Sequence, residues 1–234
     1  MSVWRCSLMH DLLVEFFPYT MKSLPMLWRS TVETLQMTFW SGGISFVLGL
    51  LLGVLLIVTR KGGLMENRLI YEVLDKVINL FRSIPFIILL FCLLPLTRLI
   101  SGTAIGVEGS IVPLVFGTVP FFARQMESAL SEVNDGLVEA AQAMGCSRLD
   151  IICRVYLKES VPSIARGVTI TLISLIGLTA MAGAVGAGGL GNFAYVYGQQ
   201  RSRMDIIYST VIILVLIVTV IQIVGALVAR VSKH

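Results

Sequence analysis

Residues 139–162 read EAAQAMGCSRLDIICRVYLKESVP. The chain around them is 56% hydrophobic and 14% charged, yet this stretch gathers Glu139, Arg148, Asp150, Arg154, Lys158 and Glu159. It is too polar to cross a bilayer and too regular to be a slack loop. Glu139 to Met144 are good helix formers. Gly145 would cost a helix interior about 1 kcal/mol relative to alanine, so it marks a turn or C-cap. Ser147 stands where an N-cap would, with Asp150 three residues on in the capping-box place. Leu149, Ile152, Val155 and Tyr156 recur at helical spacing as one apolar stripe. Asp150 and Arg154 form an i,i+4 pair on the other side, and Pro162 ends the segment. The spacing predicts a helix, a turn and a second helix lying flat on a membrane face. Such an element either rests on lipid or offers a docking surface to a cytoplasmic partner.

The composition agrees with a membrane setting. A charged fraction of 14% is well below the quarter usual in soluble domains. The net charge of +4 includes no basic run, so nucleic acid is not implied as a partner. Cys6, Cys92, Cys146 and Cys153 show neither zinc spacing nor a disulfide framework, and read as small apolar fillers. The N-terminal stretch is interrupted by His10, Asp11 and Glu15, has no small-residue cleavage site, and reads as an interfacial lead-in rather than a signal peptide.

A spanning helix needs about 20 mostly apolar residues. Five segments qualify. The first is residues 38–59, TFWSGGISFVLGLLLGVLLIVT, with helix from near Thr31. The second centres on residues 84–96, IPFIILLFCLLPL, and starts near Tyr71. The third is residues 110–123, SIVPLVFGTVPFFA, extended to about 129. The fourth runs over residues 163–182, and the fifth is residues 206–229, IIYSTVIILVLIVTVIQIVGALVA. Five crossings put the chain ends on opposite sides. An external N-terminus leaves twelve Lys and Arg residues inside and six outside, as the positive-inside rule prefers. The expected fold is therefore an all-α integral membrane protein of five transmembrane helices, N-terminus outside and C-terminus inside. Its parts are a lead-in over 1–30, a membrane domain over 31–229 with a cytoplasmic loop at about 133–162, and a short cytoplasmic tail over 230–234.

Function is constrained by what the membrane lacks. Ion-driven pumps carry titratable groups at depth. Here Glu33, Asp75, Arg82, Arg124, Glu127 and Arg166 are expected within a turn or two of a boundary, and the deep polar groups are neutral, such as Thr171, Ser174 and Gln222. The sequence GAGGLG at 186–191 matches GxGxxG but follows no strand and lies on the outer side, so it is a poor phosphate cradle. Gly183, Gly186, Gly188, Gly189 and Gly191 read instead as positions where backbones approach closely. No Walker A pattern occurs, and no nucleophile with a base or metal-ligand cluster is apparent, so no catalytic or metal-binding residue is assigned. Drive from outside the bilayer is the economical reading. A channel would need a charge ring or carbonyl filter, for which the glycine stretch is the one candidate. A membrane anchor that recruits a cytoplasmic protein and moves nothing is the third class.

The 139–162 stretch resembles the EAA loop of the membrane subunits of ATP-binding-cassette importers. That pattern is Glu-Ala-Ala, three residues, Gly, nine residues, an aliphatic residue, one residue, Leu-Pro. Glu139, Ala140, Ala141, Gly145, Val155 and Leu157 stand in register, and Lys158 replaces the proline. Further stretches are similar to the permeases of methionine importers: TVETLQMTF (31–39), NLFRSIPFIILL (79–90), VPFFARQMESAL (119–130) and MAGAVGAGGLGNFAYVYG (181–198). Residues 1–20 lie outside the resemblance. It implies a permease in a bacterial inner membrane that imports L- and D-methionine, with a permease for another small amino acid or peptide-like solute as the alternative. It also implies a homodimer in membrane lipid and two cytoplasmic ATPase subunits that hold ATP and Mg, this chain binding no cofactor. An extracytoplasmic methionine-binding protein completes the set. Glu139, Ala140, Ala141, Gly145, Val155 and Leu157 would couple to the ATPase. Met181, before the glycines, would narrow the outer end of the path.

Overall fold

The computed structural model describes residues 17–232. The lead-in up to residue 16, with Cys6, and Lys233 and His234 of the tail lie outside the described residues. The described residues hold helices and no strand. In chain order the helices are α1 (Pro18–Lys22), α2 (Leu24–Thr59), α3 (Arg68–Ser83), α4 (Phe86–Cys92), α5 (Leu94–Ser101) and α6 (Gly106–Ser131). After these come α7 (Asp135–Ala143), α8 (Arg148–Asp150), a π-helical stretch (Ile151–Tyr156), α9 (Leu157–Glu159), α10 (Val161–Ala182), a second π-helical stretch (Gly183–Ala187), α11 (Gly189–Asn192), a third (Phe193–Gln199) and α12 (Met204–Val231).

Among the described residues, four helices are long and apolar enough to cross a bilayer: Leu24–Thr59, Gly106–Ser131, Val161–Ala187 with its irregular end, and Met204–Val231. These match the first, third, fourth and fifth expected spans. The second is divided into α3, α4 and α5. Pro85 leaves Ile84 extended (ψ 122°) and ends α3. Pro95 sits in the first turn of α5, where its missing N–H costs nothing. Pro113 and Pro120, by contrast, lie buried within an unbroken α6. Helix α2 begins at Leu24, earlier than the expected Thr31, because Pro25 is accommodated at the helix start. Helix α1 caps the far end of the chain: Asp205 accepts from the Tyr19 and Thr20 amides at 2.9 and 3.1 Å, and Arg203 lies over the Tyr19 ring at 4.1 Å.

Close helix crossings depend on small residues, as packing in lipid favours. Helix α2 packs most extensively along α6. A Cβ at Gly49 would fall 2.6 Å from the Phe122 ring, and one at Gly53 would overlap Met126. At Gly167 of α10 a Cβ would meet the Met126 methyl at 2.8 Å. Helix α3 is attached differently, because it buries little beyond Ile78. Arg124 of α6 pairs with Asp75 and donates to Asn79 at 3.1 Å on α3, and pairs with Glu127 at 2.6 Å. Tyr71 donates to Glu127 at 3.3 Å. Replacing Arg124 with Gln strands two half-buried carboxylates. It is expected to destabilise the purified protein by about 3 kcal/mol, read as a lowered unfolding midpoint, whereas Asn79→Ala is expected to cost about 1 kcal/mol.

Candidate functional site

The expected coupling segment forms a small core on the helix ends. Ile57 and Val58 of α2 and Leu130 of α6 pack with Val133, Val138, Ala141, Ile151 and Tyr156, and with the partly buried Ile152, Val155 and Leu157. Burial pushes the Tyr156 phenol above its usual pKa, with the nearby positive Arg60 pulling the other way. Arg60 also reaches Asp135 at 3.3 Å. The two short helices are thus fixed to the ends of two long ones, so force on one reaches the other through packed side chains.

The turn between them follows from its residues. Gly145 takes φ +77°. Its amide donates to the Gln142 carbonyl at 3.0 Å, and Cys146 donates to the Ala141 carbonyl at 3.1 Å. Those two bonds are the Schellman closure, which needs a left-handed residue at this place. Ser147 then caps α8, accepting from the Asp150 amide at 3.2 Å, and Arg154 lies 3.4 Å from Asp150. Both were legible in the spacing. The apolar stripe differs by one register step. Ile151, not Leu149, joins Ile152, Val155 and Tyr156 inside; the stretch Ile151–Tyr156 is π-helical and brings both of its ends to the buried face.

Of the coupling residues, Glu139, Ala140 and Gly145 are exposed on the outer surface. Ala141 is buried in the small core, and Val155 and Leu157 pack against it. Ala141, Val155 and Leu157 therefore position the element, and Glu139, Ala140 and Gly145 face outward. The sequence reading passed over Met144 and placed Leu149 in the inward stripe; they are 76% and 73% exposed on either side of the elbow. Two bare apolar side chains thus stand beside a charged surface at the elbow. The chain runs on as α9 where Lys158 replaces proline, and the bend comes at Ser160 before Pro162. Cys92, Cys146 and Cys153 are free and exposed rather than apolar filling.

The opposite ends of the same helices form the second site. After Ala182 the chain turns through Val185 and Gly186, which leave helical geometry. Helix α11 then opens from Gly189. Its N-terminus is already occupied. Glu33 of α2 accepts from the Gly189 amide at 2.8 Å, and Thr34 accepts from Leu190 at 2.8 Å. A phosphate would have to displace a carboxylate there. Gly183, Gly188, Gly189 and Gly191 are close-approach positions. A Cβ would meet Gly188 O at 2.7 Å from Gly183, Glu33 Oε2 at 2.8 Å from Gly188, and Thr34 Oγ1 at 2.7 Å from Gly189, and from Gly191 would overlap Ala180. Gly186 differs, having nothing within 4 Å; it makes the turn through φ +103°. Beside this turn lies a cleft of about 490 Å³ lined by Arg29, Glu33, Glu108, Asn192 and Tyr197 among others. Met181 lies half-exposed in the last turn of α10, on one face with Arg166, Ile170, Ser174 and Gly177.

The helix–turn–helix segment lies at one end of the long helices and the glycine turn at the other. The profile of the binding-protein-dependent transport system inner membrane component family matches residues 45–233. The chain belongs to that family. This permease is 48% identical over 210 residues to a probable D-methionine transport system permease protein MetI of Vibrio cholerae, covering 89% of this chain and 93% of that one. It is 44% identical over 217 residues to the methionine import system permease protein MetP of Bacillus subtilis, covering 93% and 97%. Among solved structures, inward-facing conformations of the MetNI methionine ABC transporter superpose on the permease with a TM-score of 0.89 at 45% identity. The match covers 91% of this chain and 99% of that one. An amino acid ABC transporter crystallised with histidines shares the fold at 18% identity and a TM-score of 0.75. The permease is a multi-pass inner-membrane transport component, and its family supplies the transport subunit rather than an enzyme.

Proposed function

We propose that this chain is the permease of an ATP-driven importer of L- and D-methionine, working as a homodimer. Two cytoplasmic ATPases holding ATP and Mg dock on residues 133–162, and an extracytoplasmic methionine-binding protein delivers at the glycine-turn end. The observation that carries the reading is the pairing of the Gly145 elbow with close similarity to methionine permeases over nine-tenths of the chain. In this reading the broken segment α3 to α5 makes the fifth crossing, and the N-terminus lies outside with the 230–234 tail inside. Approach of the two ATPases on binding ATP moves the coupling helices, and the small core carries that motion to the ends of α2 and α6. Met181 narrows the path beside the glycine turn; a thioether fills an irregular constriction without a rigid fit.

The test is uptake into proteoliposomes holding the permease, its ATPase and its binding protein. Labelled methionine is expected to enter with ATP and to outcompete histidine and glutamine. Preference for histidine or glutamine would assign the complex to another amino acid, and uptake without ATP would exclude this mechanism.

A further inference from the structure

An arginine stands where the sequence alone does not place one. Helix α3 starts beside the coupling end, where Asn67 bonds back to Thr59, and Arg82 lies at its other end. If α3 to α5 make a crossing, as proposed above, fourteen residues of helix lift Arg82 by up to about 21 Å, into a hydrocarbon core about 30 Å thick. Its neighbours agree, since Gly117 and Thr118 are mid-way along α6 and Ser174 is in the central part of α10. The ion pairs among the described residues use Arg29, Arg60, Arg68, Arg124, Arg154 and Arg166, and not Arg82. A cation at that depth without a carboxylate partner is costly unless something else answers it.

Arg82 lines a cavity of about 280 Å³ between α3, α4, α6 and α10. The cavity also holds an orphan. Thr118 is 2% exposed, and its hydroxyl has no hydrogen-bond partner. Thr31, Thr34, Thr38, Thr169 and Thr171 all satisfy theirs on the carbonyl four residues back. Thr118 does not, so a buried hydroxyl without a partner stands in the cavity wall, reached by an occupant only if the wall opens slightly. Ser174 adds a second hydroxyl, and Phe81, Phe121 and Leu178 make an apolar wall. Ser174 shares its helix face with Met181, two turns away, so the cavity opens on the face that carries the constriction.

We propose that this cavity is a transit site for a free α-amino acid with an apolar side chain. Arg82 holds the α-carboxylate, the Thr118 and Ser174 hydroxyls take the ammonium, and the side chain lies against the aromatic wall. A guanidinium matches a carboxylate with two parallel bonds, and the size suits one amino acid rather than a peptide. The site rests on the importer reading above and adds the residues that touch the cargo.

The experiment uses the complete transporter in liposomes with Arg82→Gln, Arg82→Lys and Thr118→Val. Arg82→Gln is expected to lower uptake about tenfold or more while ATP hydrolysis stimulated by loaded binding protein persists, and Arg82→Lys to keep a larger share of uptake. Thr118→Val removes an unsatisfied hydroxyl without changing shape. It is expected to slow uptake about threefold or more with no loss of thermal stability. Uptake within about twofold of the unaltered complex in both Arg82→Gln and Thr118→Val overturns the site. So does an equal loss of uptake and stimulated hydrolysis in Arg82→Gln, which assigns Arg82 to architecture. Failure of the unaltered complex to import methionine counts against the functional reading instead. The variants are read as ratios, for whichever amino acid the unaltered complex carries.

Discussion

Met144→Glu with Leu149→Glu is expected to strip the ATPase from this permease and lower uptake by more than about tenfold, with the membrane domain still inserted and folded. The physical ground is the split within the coupling segment. One set of apolar residues, Val138, Ala141, Ile151 and Tyr156, is buried and holds the short helices to α2 and α6. Met144 and Leu149 touch little of the permease. Charging them costs the isolated subunit little, because exposed substitutions usually change stability by less than about 0.5 kcal/mol. A buried interface residue of this size is worth about 2 kcal/mol or more each to a complex, so two charges in one cleft suffice for dissociation. Co-purification of the ATPase reads the effect directly. Unchanged co-purification with unchanged uptake would remove the elbow from the interface. Ala141→Asp is the opposite control: it strikes the inner core and should unfold the segment rather than bare it.

Gly191→Ala is expected to give the largest loss of stability of any single methyl addition in the glycine turn. Its Cβ would overlap the Ala180 carbonyl oxygen and fall 2.7 Å and 2.8 Å from the Ala180 Cα and carbonyl carbon. These are backbone atoms of α10, which cannot swing aside as a side chain does. Overpacking costs about 1–3 kcal/mol where neighbours adjust, and here the relief has to come from separating α11 from α10. The unfolding midpoint in detergent should fall by several degrees, and uptake with it. Gly177→Ala on the open face of α10 has nothing within 4 Å and a helical backbone, and should leave the midpoint unchanged or raised. Equal midpoints for the two variants would show that the turn is not a packed element.

The four continuous spans were legible because each is a long apolar run, and length is what a bilayer selects. The elbow was legible because one glycine between helix formers, followed by Ser147 and Asp150, has few other foldings. The division of α3 from α4 was only half visible: Pro85 announces a break, but hydropathy averages across it. That averaging also hid Arg82, whose place at the end of α3 follows from where that helix starts and stops and not from the apolarity around it. The coupling motif marks Glu139, Ala140 and Ala141 alike, although helical geometry turns Ala141 inward. The π-helical stretch after Asp150 carries no sequence signal distinct from an ordinary helix, so Ile151 was not paired with Tyr156, and Leu149 took its place in the expected stripe. Glu33 looked like a span-end charge; its bond to the Gly189 amide joins residues 156 apart in sequence, which periodicity cannot detect.

Cys146 provides the most direct test, because it is exposed at the elbow itself. With Cys6, Cys92 and Cys153 changed to serine, a membrane-impermeant maleimide should label Cys146 in inverted membrane vesicles and not in intact cells, and bound ATPase should protect it. Labelling of Cys146 in intact cells would place the elbow on the far side of the membrane from any ATPase, and the account would be wrong.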